Sequence, residues 1–207
     1  MPESLEVPGG EEPGDPNVLA MVTLRDRIRT EMGGSRKVER IHEENRLTVR
    51  EHVDLLVDAG SFRDVGTFVA EPRDGADFWA LPGDGIIGGT ATIAGRPVTV
   101  CGNDDTVRRG TNGPRGSKKY DRLYDIAERL GTPFVILGQS SGGRLPESLH
   151  SHEFSSNTHP HGAFTRLTTR SRTIPVVTVI IGPSFGSSSF YSGLSDFVVQ
   201  IEGTCLA

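Results

Sequence analysis

The N-terminal third of the chain carries apolar residues at helical spacing. Between residues 24 and 62 they recur every three or four positions, with an interruption at Gly33-Gly34, so we expect two helices there. The following segments, FRDVGTFVA and ADFWAL, change to a pattern typical of extended chain.

Apolar runs alternate with helical segments in the rest of the chain. Residues 86–101 indicate a β-hairpin that turns at Ala94-Gly95, and residues 120–131 indicate a helix with one apolar face. The runs PFVILG and PVVTVIIG are too short for ordinary helices and predict buried strands, as in a parallel sheet. Further helices are expected within 163–172 and after 186, with a last strand at 197–201. Strands alternating with crossovers predict an α/β fold with a mainly parallel core.

Both apolar runs end in segments rich in glycine and serine, GQSSGG from Gly138 and GPSFGS from Gly182. Glycine allows a ligand to approach the main chain, and a following helix begins with N–H groups that lack partners. Two such exits from neighbouring strands could direct their N–H groups at one oxygen, as an oxyanion hole requires. Ordinary crossover turns remain the alternative.

Both segments also match the G-x-S-x-G pattern of a serine hydrolase, at Ser140 and Ser184. That class needs an acid and then a histidine further along the chain. The last histidine, His161, precedes Ser184, and those after Ser140 all fall within one crossover. A serine hydrolase is therefore not favoured.

A basic segment, VRRGTNGPRGSKK, follows the hairpin in a chain whose formal net charge is −5. Its cations Arg108, Arg109, Lys118 and Lys119 could bind phosphate groups, although each could also be a solvated side chain. The segment lacks the G-K-[ST] ending of a P-loop, and no G-x-G-x-x-G follows the first strand.

Composition excludes several classes of protein. A sequence pI of about 5.7 does not suit a nucleic-acid-binding protein. Two cysteines cannot form a four-thiolate zinc site, and reduced thiols in a cytoplasmic protein are expected. No apolar run is long enough to span a membrane. Residues 1–17 are acidic and rich in proline and glycine, so we interpret them as a disordered tail preceding one domain, residues 18–207.

Four histidines lie close together in the segment HSHEFSSNTHPH, residues 150–161. They could bind a metal ion, but the segment has no cysteine and a single acid, Glu153. A polar loop with incidental histidines is favoured, and no metal site is predicted.

Several segments in order resemble a known family. They are LLVDAGSFRDVG, GDGIIGGTATIAGRPVTVCGNDDTVRRGT, SSGGRLPES and IPVVTVIIGPSFGSSSFYSGLSDFVV. This order is similar to the carboxyltransferase β subunits of biotin-dependent acyl-CoA carboxylases. The resemblance begins near Val22 and covers the first of the two related halves of that family. Where the family has Gly-Gly-Ser after its Thr-Val, this chain has Arg108-Arg109-Gly110-Thr111, and the family's Ser-Gly-Gly-Ala-Arg becomes Ser-Gly-Gly followed directly by Arg144 and a leucine.

The resemblance implies a crotonase-like (ClpP/crotonase) fold, a β-β-α superhelix. Within it, Gly142, Gly143, Gly186 and Ser187 would form the oxyanion hole for the thioester of an acyl-CoA. The basic segment would hold the coenzyme A phosphates.

The resemblance also implies partners. A C-terminal half on another chain and a biotin carrier protein would complete a hetero-oligomeric acyl-CoA carboxyltransferase. Two alternatives stay open: a biotin-independent decarboxylase of malonyl- or methylmalonyl-type thioesters, and a catalytically degenerate scaffold subunit.

Overall fold

The computed structural model describes residues 15–70, 82–111, 113–144, 162–169 and 173–207. Their helices are α1 (Pro16–Glu31), α2 (Ser35–Glu43), α3 (Val49–Leu56), α4 (Pro114–Leu130), α5 (Ala163–Thr169) and α6 (Ser187–Gly193). Their strands are β1 (Arg63–Asp64), β2 (Ile86–Ile93), β3 (Arg96–Asn103), β4 (Phe134–Ser141), β5 (Val176–Phe185) and β6 (Phe197–Gln200). Short 3-10 turns occupy Gly83–Gly85 and Arg108–Gly110.

The strands of the described residues form one mixed sheet in chain order, from β1 to β6. The pairs β1–β2 and β2–β3 are antiparallel, and every pair from β3 to β6 is parallel. The hairpin places Ile86 opposite Asn103 and Ile93 opposite Arg96. The predicted hairpin and the mainly parallel core are both confirmed.

Alternation along the central strands directs side chains into two cores, one on each face of the sheet. In β4, Phe134 and Ile136 join the core formed with α4 and α5, whereas Val135 and Leu137 join the core formed with α3. Burial on both faces explains why β4 is a continuous apolar run rather than an alternating one.

Three helices, rather than the two expected, occupy the N-terminal segment. The second expected helix is interrupted at Asn45, whose φ is 53°. A new helix then begins at Thr48, whose hydroxyl accepts from the Glu51 N–H while the Glu51 carboxylate accepts from the Thr48 N–H. The T-x-x-E signature of this capping box stands in the sequence and marks the helix start.

Two boundaries also differ from expectation. The helix expected from residue 120 begins at Pro114, so Lys118 and Lys119 lie on α4 rather than in a loop. Helix α1 begins at Pro16, two residues before the expected start of the domain, because the Asp15 carboxylate caps it. The segment ADFWAL and the histidines of residues 150–161 lie outside the described residues, and so does most of the tail.

Among the described residues, no helix has the length and apolar character required to cross a bilayer. Cys101 is buried and Cys205 exposed, and both are free thiols, as expected.

Candidate active site

The carboxyl ends of β4 and β5 lie side by side at one edge of the sheet. After one irregularity in register, their ladder ends at the pair Ser141 and Phe185. The next residues, Gly142 and Gly186, are in contact: a Cβ placed on Gly186 would lie 3.2 Å from the Gly142 Cα and 3.8 Å from the Gly143 nitrogen. The two glycine-rich segments of the sequence therefore meet.

The β4 exit turns sharply at Gly142, whose φ of 102° is one that residues with a side chain rarely adopt. The Gly142 N–H donates to the buried Ser140 hydroxyl at 3.2 Å. Gly143 is exposed, and no acceptor for its N–H is found among the described residues. Of these two sequence-predicted glycines, Gly142 uses its amide to hold the turn, whereas the Gly143 amide has no acceptor among the described residues.

The β5 exit passes directly into a helix. Gly186, with φ 64° and ψ −124°, occupies the N-cap position of α6, where no side chain caps the helix. Ser187 is the first residue of that helix and is half-buried. The amide groups at the start of α6 therefore lie beside the Gly142-Gly143 turn.

Serines follow the second exit, where the family resemblance leads one to expect small glycines. Two of them bond back to the end of β5: the Ser184 hydroxyl donates to the Ser188 hydroxyl at 2.6 Å, and the Ser189 hydroxyl donates to the Ser184 carbonyl at 2.8 Å. These serines hold α6 against the strand that precedes it.

Arg144 directly follows the β4 exit and is almost completely buried. Its guanidinium pairs with the Asp84 carboxylate, Nη1 to Oδ1, at 2.5 Å, and donates from Nη2 to the Thr111 carbonyl at 2.7 Å. The other oxygen of Asp84 accepts from the backbone N–H groups of Arg115 and Gly116, both at 3.0 Å. One buried ion pair thus joins the β4 exit, the basic segment and the first turn of α4.

The basic segment begins with a strained turn. Arg108 and Arg109 are exposed and have φ values of 45° and 60°, in the left-handed region. The buried Asn103 side chain holds the turn from inside by donating to the Gly110 carbonyl at 2.9 Å. Because left-handed backbone costs about 1–2 kcal/mol at a residue with a side chain, holding two arginines there is typical of a functional position.

The two lysines of the segment have different environments. Lys118 is exposed on α4. Lys119 is 6% exposed, and its ammonium group donates to the Gly66 carbonyl at 3.1 Å and lies 4.0 Å from the Asp64 carboxylate. Burial lowers the pKa of Lys119 to about 8, and the Asp64 charge opposes that shift. Of the four predicted cations, the structure places three at the surface and Lys119 in the interior.

Sequence reasoning did not find Asp84 or Asn103. Asp84 has no exposed surface and a φ of 50°, and it lies between Gly83 and Gly85, which also have positive φ. A G-D-G tripeptide before a strand was the available signal, but its ion pair with a residue 60 positions away is not visible in the sequence.

The environments of Ser140 and Ser184 agree with the rejection of a serine hydrolase. Both side chains are buried, at 2% and 0% exposure, and each hydroxyl bonds to its own turn. Within the described ranges, no cluster of three metal-binding side chains is present.

Comparison with known proteins decides the family. Residues 40–206 match the family described as the carboxyl transferase domain. The chain belongs to this carboxyl transferase domain family.

Relatives in the family include the methylmalonyl-CoA carboxyltransferase 12S subunit of Propionibacterium freudenreichii subsp. shermanii, 34% identical over 172 residues. That alignment covers 82% of this chain and 32% of the relative. The propionyl-CoA carboxylase beta chain of Cereibacter sphaeroides is 32% identical over 192 residues, covering 91% of this chain and 36% of the relative. This carboxyl transferase domain spans about a third of the length of such relatives.

Solved structures agree with the sequence matches. A transcarboxylase 12S structure with methylmalonyl-coenzyme A bound superposes with a TM-score of 0.80 at 30% identity, covering 92% of this chain and 37% of that one. The beta subunit of Pseudomonas aeruginosa geranyl-CoA carboxylase gives 0.75 at 28% identity, covering 91% and 34%. The expected crotonase-like α/β fold is thereby confirmed.

Proposed function

We propose that this chain is the acyl-CoA-binding half of a biotin-dependent acyl-CoA carboxyltransferase. In this function, main-chain amides from the two glycine exits bind the thioester oxygen and stabilise the enolate that forms at the α-carbon. The observation that carries the proposal is the contact between Gly142 and Gly186, which brings the two exits together.

The chemistry at the exits depends on donors that are fixed before the reaction. The proposed donors are the Gly143 amide on one exit and the Ser187 amide at the start of α6 on the other, with Gly142 and Gly186 shaping the turns. Main-chain donors of this kind lower the barrier by about 3–4 kcal/mol each when they meet a developing negative charge. The negative charge on the thioester oxygen is stabilised further by the backbone dipoles at the start of α6, which favour an anion.

Exposed cations near the β4 exit support binding of the coenzyme A phosphates. Gly110, in the Arg108-Arg109 turn, packs so closely on the end of β4 that a Cβ there would lie 2.5 Å from the Gln139 carbonyl oxygen. We assign the phosphates to Arg108, Arg109 and Lys118. Lys119 is left out of this set because its ammonium group is buried against Gly66.

The rest of the reaction is assigned to partners. Relatives about three times as long as this chain carry names of complete carboxylase or carboxyltransferase subunits. We propose that a C-terminal half and a biotin carrier protein assemble with this chain into a hetero-oligomer. Biotin, when bound, carries the carboxyl group. We assign no residue of this chain to it, because the groups at the two exits are all assigned to the thioester.

The test measures binding first. Propionyl-CoA should raise the melting temperature of the purified chain, because a ligand that binds the folded state stabilises it. Replacing both Arg108 and Arg109 with glutamine should weaken coenzyme A binding about tenfold, equivalent to about 1.4 kcal/mol. Arg129→Gln, at an exposed ion pair near the end of α4, is the matched control and should bind as the wild type does.

Carboxyl transfer should then need an added C-terminal half and a biotinylated carrier. Absence of stabilisation by any coenzyme A thioester would overturn the proposal. Release of CO2 from malonyl-CoA or methylmalonyl-CoA without biotin would instead select the decarboxylase alternative.

A further inference from the structure

We propose that Arg144 is a positioning residue for the oxyanion hole, acting through Asp84. The inference rests on the proposed function, because it concerns the geometry of the same hole. In this role, the buried ion pair between these two residues acts on the hole through the backbone and not by contact with the thioester.

The position of Arg144 in the chain links it to the hole. One peptide bond separates it from Gly143, the residue whose amide is proposed as a donor. Its side chain is 3% exposed and contacts Asp84 and both the carbonyl and the hydroxyl oxygen of Thr111. A displacement of this guanidinium would therefore be transmitted directly to the Gly143 amide.

Asp84 is itself held in place by hydrogen bonds from the start of α4. One carboxylate oxygen receives the guanidinium, and the other receives two backbone N–H groups at the start of α4. Gly113 closes the remaining side: a Cβ there would lie 2.3 Å from the Arg144 Nη1 and 2.6 Å from an Asp84 oxygen. Gly113 therefore leaves no room for the guanidinium to move toward the start of α4.

The geometry requires arginine rather than a positive charge alone. A guanidinium can donate to Asp84 and Thr111 at the same time because its N–H groups form a planar fork. A lysine ammonium at this position keeps the charge but has a different donor geometry. Arg144→Lys should leave the fold in place and loosen the β4 exit.

The experiment compares two ligands that differ at the reacting carbonyl. Propionyl-CoA has the thioester oxygen, whereas its thioether analogue S-propyl-CoA lacks it and cannot accept from the hole. Wild-type protein should bind the thioester more tightly than the thioether. In Arg144→Lys this preference should fall about three- to tenfold, the value of one hydrogen bond, while thioether affinity stays within twofold.

Arg166→Lys is the matched control. Arg166 also lies in an ion pair against α4, with Glu128 and Asp125, but it contacts neither exit. It should keep the full preference for the thioester. Asp84→Asn, which preserves the shape of the side chain, is the second variant and should lose the preference as Arg144→Lys does.

The outcomes separate the two proposals. If the wild-type chain binds neither ligand, or binds both equally, the proposed function fails. If the wild type prefers the thioester and both variants keep that preference, the positioning role is wrong. An equal loss of affinity for both ligands, or unfolding of both variants, would also overturn it, since Arg144 would then act on the domain as a whole.

Discussion

The exits of β4 and β5 look alike in the sequence but are supported in different ways. The side chains of the β5 exit bond locally, through serine hydroxyls that bond back within five residues, while backbone hydrogen bonds join Ser184 to Cys205 and Ala207. The β4 exit is held from a distance, by Arg144 and its ion pair with Asp84, 60 positions earlier in the chain. Two copies of one motif are therefore stabilised differently, one by local hydroxyls and backbone hydrogen bonds and the other by a buried ion pair.

This difference predicts which substitutions should disturb each exit. A turn whose side chains bond only to nearby residues should tolerate side-chain changes elsewhere in the molecule. A turn held by a buried ion pair depends on everything that touches that pair, including the start of α4 and the basic turn. Substitutions far from the β4 exit, at residues that contact the ion pair, should therefore change the geometry of that exit strongly. Substitutions of single serines within the β5 exit should change the geometry of the β5 exit less.

The largest effect is expected from Asp84→Ala. It leaves the Arg144 guanidinium buried without its counter-charge and removes the cap of α4, so the free energy of unfolding should fall by about 3–5 kcal/mol. Urea denaturation measures this change. Asp125→Ala, which removes a partly exposed carboxylate on the same helix, is the control and should cost about 1 kcal/mol or less. Equal losses of stability in the two variants would contradict the proposed support of the β4 exit by the Asp84–Arg144 ion pair.

Gly186→Ala tests the contact between the exits. A Cβ at φ 64° is strained and would also press on the Gly142 backbone at 3.2 Å. Stability should fall by about 2 kcal/mol, and the thioester preference should fall with it. Gly193→Ala, in the last turn of α6 with open space around the position, should leave both quantities nearly unchanged. A Gly186→Ala protein as stable as Gly193→Ala would show that the exits are not in contact.

The comparison also explains how far sequence alone could predict this site. Glycine-rich ends of two apolar runs predicted both exits, because parallel strands end at the same edge of a sheet. The bonds of Ser188 and Ser189 to Ser184 could be predicted from their proximity in the sequence. Nothing local in the sequence could assign Arg144 to Asp84, because that pairing depends on how the hairpin and β4 are brought together.

The basic segment also shows what the sequence alone could and could not predict. Clustering of cations predicted a phosphate-binding region, and three of the four residues are exposed. Adjacent lysines look equivalent in a sequence, yet helix geometry rotates neighbouring side chains by about 100°, which places Lys118 at the surface and Lys119 in the interior. A helix start misplaced by six residues, at 120 instead of Pro114, concealed this difference.

Lys119, which joins α4 to Gly66, makes the stability of the folded chain dependent on pH. Its pKa is about 8 in the folded chain and has an ordinary value of 10.5. Between these values the unfolded chain keeps a proton that the folded chain has released, so the free energy of unfolding rises with pH. From pH 7 to 9 the contribution of Lys119 should rise by about 1 kcal/mol.

The measurement is the difference in stability between wild type and Lys119→Met across this pH range. Lys118→Met, which changes an exposed lysine on the same helix, should remove none of the pH dependence. Burial raises the pKa of the Cys101 thiol, which opposes the rise in each protein because the unfolded chain ionises first. Both proteins contain Cys101, so its contribution cancels in the difference. A stability difference between the two proteins that stays constant or falls from pH 7 to 9 would contradict the burial of the Lys119 ammonium group.

The smallest effect is expected at the locally held exit, from Ser184→Ala. It removes the hydroxyl that donates to Ser188 at 2.6 Å, and should cost about 1 kcal/mol. The control is Ser192→Ala, whose hydroxyl bonds to a carbonyl of its own helix and should cost less. Because Arg144 and Asp84 are untouched, thioester preference should fall less in Ser184→Ala than in Arg144→Lys. The reverse order would mean that the β5 exit, rather than the β4 exit, sets the geometry of the hole.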